Sequence, residues 1–113
     1  MIIYTLDQMV EEARRLGPIP VAVAAAADPE VLAAMDEAER EGLAHSILIG
    51  DAARIEILRM EQGLTLARAK VVHEPGEKAA ARQAVALARQ GKARVVVKGQ
   101  LKTSDLLHAV LDR

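Results

Sequence analysis

Short, unbroken apolar runs alternate along this chain with segments whose apolar residues recur at helical spacing. That alternation leaves little choice of fold. Pro20 to Ala27, Ser46 to Ile49, Lys70 to His73 and Ala93 to Lys98 read as strands. A strand that is apolar at successive positions is buried on both faces, the condition of a strand in a parallel sheet covered by helices.

The segments between them carry helix start and stop signals. Thr5-Leu-Asp-Gln8 is a capping-box signature opening a helix that carries Leu6, Met9, Val10, Ala13 and Leu16, and Gly17-Pro18 stops it. Asp28-Pro29 pairs an N-cap with an N1 proline ahead of a stripe of Val31, Met35 and Ala38. Asp36 and Arg40 have the spacing to pair on the wet side of that helix, which Gly42 terminates. Asp51 caps a third helix bearing Ile55 and Leu58 and closing near Gly63. Pro75-Gly76 leads into an alanine-rich helix from about Glu77 to Gln90, stopped by Gly91, and a last helix spans Thr103 to Leu111.

Helices on both faces of a parallel sheet give a three-layer αβα architecture of the α/β class. With right-handed crossovers the expected arrangement is a Rossmann-like, doubly wound sheet of four strands in the order 3-2-1-4. The chain reverses direction between the first and fourth strands in that order. Ligands of such sheets sit beside that reversal, at the strands' carboxyl ends. Those ends are Ala25 to Asp28 and Lys98 to Thr103.

The second of them is the sharpest functional signal in the chain. Val95-Val96-Val97 is followed by Lys98-Gly99-Gln100-Leu101-Lys102-Thr103-Ser104-Asp105 and then a helix through Leu106, Leu107, Val110 and Leu111. Gly99 permits a sharp turn, and Thr103 or Ser104 can cap the helix. Free backbone N–H groups and the positive end of the helix dipole converge there beside two lysines, so the turn suits a phosphate or another anion. Lys98, Gly99, Gln100, Lys102, Thr103 and Ser104 are therefore the candidate binding residues. Each also has a plainer reading: Gly99 as a turn glycine, Thr103 and Ser104 as ordinary caps, Lys102 as a solvated lysine. Asp105 is the acidic residue that the dipole favours in a first helical turn.

Composition narrows the rest. At 113 residues the chain is expected to be one domain, 1–113. Its longest apolar run, Pro18 to Ala27, is too short to span a bilayer, and the N-terminus lacks a basic region ahead of an apolar one. The chain has no cysteine, which removes thiolate chemistry and suits a reducing cytoplasm. His45, His73 and His108 show no metal-ligand spacing, so no metal is expected, and His73 stands out only because it ends a strand at the carboxyl edge. A net charge of −1 with mixed signs argues against nucleic-acid binding, and Tyr4 is the only aromatic residue on which a base could stack.

The segment Val95 to Leu111 resembles the phosphate acetyl/butyryltransferase family, in particular its butyryltransferase-like branch. Pro20-Val-Ala-Val-Ala24, Asp28-Pro-Glu-Val-Leu32 and the passage from Glu41-Gly-Leu-Ala44 to Ile47-Leu-Ile-Gly-Asp51 fit as well, so the likeness runs in order along nearly the whole chain. Lys98-Gly99 matches the family's strand end and turn, and Thr103-Ser104-Asp105 its helix start. The resemblance implies transfer of an acyl group between coenzyme A, bound as a substrate, and inorganic phosphate. It further implies that this chain corresponds to the N-terminal of two domains. Much of the CoA pocket and the catalytic residues would then belong to the missing C-terminal domain, which would also form most of a homo-oligomer interface. The alternative is a non-catalytic module that binds phosphate or CoA or docks on a partner. A phospho-acceptor domain needs acidic residues clustered at the first and third strand ends, and Val21 to Ala27 has none.

Overall fold

The computed structural model describes residue 15 and residues 17–98. The expected opening helix, Arg15 apart, and the expected helix from Thr103 to Leu111 lie outside the described residues. The elements run β1 (Ile19–Ala24), α1 (Pro29–Arg40), β2 (Ala44–Gly50), α2 (Ala52–Glu61), β3 (Lys70–His73), α3 (Glu77–Arg89) and β4 (Val95–Lys98). All strand pairs are parallel and their order is β3-β2-β1-β4, as the sequence pattern predicts.

Period-two alternation within each strand divides the core between the two faces. Ile19, Val21 and Val23 of β1 join Leu48, Val95, Leu32, Met35, Ile55 and Leu58 in one cluster, which places α1 and α2 on one face. Ala22 and Ala24 point the other way, to Ile49, Val96 and the Ala80, Ala81, Ala84 and Ala88 row of α3. The chain moves outward from β1 to β3 with helices on the first face. It then crosses the second face on α3 to reach β4, on the far side of β1. Crossovers of one hand in opposite directions demand opposite faces.

Three strands differ in their bounds from expectation: β1 runs Ile19–Ala24 against an expected Pro20 to Ala27, β2 runs Ala44–Gly50 against Ser46 to Ile49, and β4 starts at Val95 against Ala93. β1 stops at Ala24 instead of Ala27 because Ala25 takes a left-handed conformation, with φ at 52°. β4 starts at Val95 instead of Ala93 because the amides of Lys92 and Ala93 both donate to the Leu87 carbonyl, closing the end of α3. Pro20 is tolerated in an interior strand because the β1–β4 ladder begins only at Val21 and Val95, and its carbonyl accepts the Arg94 amide.

Asp36 is not on a wet face. It is 3% exposed, and its Oδ1 accepts the amides of Thr65 at 3.1 Å and Leu66 at 3.0 Å. Oδ2 lies 3.2 Å from Nε of Arg40, so the expected pair forms, with its acid buried beneath the loop that follows α2.

Candidate functional site

The four parallel strands end on one edge of the sheet. The register sets Lys98 of β4 beside Ala24 of β1, and His73 of β3 beside Gly50 of β2. Lys98, half-buried, therefore stands where the chain order reverses, the position at which open α/β sheets bind ligands. Gly99, Gln100, Lys102, Thr103 and Ser104 lie outside the described residues.

The exit from β1 is tightly built. After left-handed Ala25, the Ala26 amide donates to the Ile49 carbonyl at 3.0 Å and the Asp28 amide to the Ala26 carbonyl at 2.8 Å. Gly50 closes against this loop. A Cβ at Gly50 would stand 3.0 Å from the Ala26 nitrogen and 3.3 Å from that of Ala27, so the close approach of two backbones requires glycine there.

Carboxylates at this edge are committed to structure. Asp28 Oδ1 accepts the amides of Glu30 at 2.9 Å and Val31 at 3.3 Å, capping α1. Asp51 Oδ1 accepts the Arg54 amide at 3.2 Å, capping α2. Glu74 Oε1 accepts from Nε2 of Gln83 at 2.8 Å, tying the end of β3 to α3. The dipole ends of α1 and α2 are thus already met by the chain's own side chains. The N-cap position of α3 is Gly76, which offers no side-chain bond.

His73 does something the sequence did not disclose. Its Nδ1 accepts the Ala52 amide at 3.1 Å, bringing the end of β3 onto the first residue of α2. The two positions are 21 residues apart, so no local spacing signals the bond. His45 sits half-buried on β2. Among the described residues no group of three or more His, Asp or Glu could hold a metal ion. Among them, too, no helix is long and apolar enough to cross a membrane.

Comparison with known proteins agrees with this geometry. Residues 4–104 match the family model described as Phosphate acetyl/butaryl transferase. The chain is 34% identical over 112 residues to a phosphate butyryltransferase of Clostridium acetobutylicum, covering 99% of this chain and 37% of that protein. It is 36% identical over 104 residues to a phosphate acetyltransferase of Rhizobium meliloti, covering 92% of this chain and 33% of the relative. Among solved structures, a branched-chain phosphotransacylase from Enterococcus faecalis V583 superposes with a TM-score of 0.66 at 28% identity, over 83% of this chain and 33% of that one. The chain thus spans about a third of the length of the relatives it matches. A match that takes in nearly every element, on a sheet ordered 3-2-1-4, establishes that the chain belongs to the phosphate acetyl/butyryltransferase family.

Proposed function

We propose that this chain is the N-terminal domain of a cytoplasmic phosphate acyltransferase that moves an acetyl- or butyryl-type acyl group between coenzyme A and inorganic phosphate. The CoA thiolate attacks the carbonyl carbon of an acyl phosphate, and phosphate departs with the electron pair of the broken C–O bond. A second, C-terminal domain supplies the catalytic groups, most of the CoA pocket and the main contacts of a homo-oligomer. This domain contributes an anion site where β4 gives way to the next segment, formed by Lys98, Gly99, Gln100, Lys102, Thr103 and Ser104. Donors there stabilise charge on the phosphoryl oxygens, as oriented dipoles do in other group transfers.

The observation that carries the site is the placement of Lys98 beside Ala24, at the reversal of strand order. The capping of α1 by Asp28 and of α2 by Asp51 supports it, since those two helix ends are already occupied by carboxylates. The experiment is a titration of the 113-residue chain with inorganic phosphate and with CoA, followed by backbone amide shifts. The signals of Gly99 through Ser104 are expected to move, and unmoved signals there would remove the site. Assayed alone, the chain is expected to transfer little or no acyl group from acyl phosphate to CoA. Clear turnover would overturn the division of labour between two domains.

A further inference from the structure

We propose that the outer edge of β3 docks a second copy of this chain, through antiparallel β3–β3 pairing about a twofold axis. β3 is a terminal strand of the sheet, bonded to β2 alone among the described strands. The N–H and C=O of one strand residue point to the same side, and that side alternates along the strand. The Glu74 amide donates to the Gly50 carbonyl at 2.8 Å, and Val72 is in register with Ile49. Lys70, Val72 and Glu74 therefore turn their backbone groups inward to β2, and Val71 and His73 turn theirs outward. The outward donors stop on both sides of this pair. The Ala69 amide donates to the Leu66 carbonyl at 3.1 Å, and Pro75 has no N–H. An open edge of this kind is a template for another strand.

The outward groups are symmetric about Val72, and that symmetry fixes the register. With Val72 opposite Val72, Val71 of each copy faces His73 of the other, and both pairs exchange N–H···O=C bonds in the two directions. Lys70 then faces Glu74 of the second copy at each end of the pairing. Oε1 of Glu74 is bonded to Gln83, which leaves Oε2 for the incoming lysine. Edge strands of monomers are commonly blunted by an unmatched lysine, and here the strand carries the acid that matches it. Sliding the centre to Val71 sets Lys70 opposite Val72 and His73 opposite Ala69, whose amide is already bonded. On the other face Val71, 48% exposed, gains cover from His73 of the second copy. β3 and β4 are opposite ends of the sheet, so the pairing stands or falls separately from the anion site.

A short edge makes a small interface of the weak, transient class. Sedimentation of the full 113-residue chain from about 10 μM to about 1 mM is therefore expected to pass from monomer toward dimer. Over the same range, hydrogen exchange at the Val71 and His73 amides should slow. Lys70→Glu, at an exposed site, should raise the dimer dissociation constant roughly tenfold, because it turns two attractions into repulsions. Glu74→Lys should weaken association similarly, and the two together should restore it. Lys70 and Glu74 stand at opposite ends of the strand in one molecule, so only pairing between copies gives that rescue. A chain that stays monomeric at about 1 mM leaves the edge to solvent or to an extended segment of another protein, and overturns the proposal. So does a dimer in which exchange at Val71 and His73 is unchanged, or a double variant that does not recover.

Discussion

Asp36, on the last turns of α1, holds Leu66 through a 3.0 Å hydrogen bond from its amide to Oδ1, across 30 residues of sequence. Oδ1 also takes the Thr65 amide, and Arg40 lies against the other oxygen. Leu66 itself is buried and held at a φ of 43°, so the carboxylate fixes a loop in a conformation it would not choose freely. Asp36→Ala leaves two amides without an acceptor and is expected to cost about 3 kcal/mol in urea unfolding. Asp36→Asn keeps an acceptor oxygen and should cost about half as much.

Gly50→Ala should destabilise the chain by about 1–3 kcal/mol, because the atoms met by the new Cβ are backbone nitrogens and cannot rotate away. Amide shifts should move first at Ala26 and Ala27, then at Asp28, which caps α1.

Ser46 is 1% exposed, and its Oγ has no hydrogen-bond partner among the described residues. Removing a desolvated hydroxyl with no partner costs nothing in lost bonds. Ser46→Ala is therefore expected to be neutral or stabilising by up to about 1 kcal/mol, read from the same urea transitions.

Glu56 and Arg59 form an exposed pair on α2, with Nε of Arg59 2.9 Å from Oε2. The hydrogen bond from Arg59 holds the Glu56 carboxyl below the usual carboxylate range, and the same bond raises the arginine. A lowered folded-state value means the pair's contribution is present above the unfolded value and lost as pH falls through the folded one. A carbon-detected titration of Glu56 should show its midpoint rising in Arg59→Ala and, by screening, in high salt.

These predictions fall largely where sequence and structure part company. The caps at Asp28 and Asp51 and the helix stops at Gly42, Gly63 and Gly91 were legible because each rests on neighbours in sequence, and the strand order because right-handed crossovers restrict how alternating strands and helices can be arranged. Asp36 was not. Its spacing to Arg40 describes an exposed helical pair, and only the loop arriving from beyond α2 buries it. His73 was legible as a strand end at the functional edge, but its partner in α2 is set by the β2–β3 register, which no local pattern encodes. Of the candidate anion-binding residues, Lys98 ends β4 in register with Ala24, and Gly99, Gln100, Lys102, Thr103 and Ser104 lie outside the described residues.

Helix α3 meets the sheet through Ala80, Ala81, Ala84 and Ala88, set against Ala22 and Ala24 of β1. Methyl groups have no torsions to freeze on docking, and none with which to absorb a misfit. The helix is thereby indexed to the pleat of the central strand, and the short connection 90–94 passes that alignment on to β4. Added bulk in the alanine row would be read out as displacement of the lysine cation that ends β4.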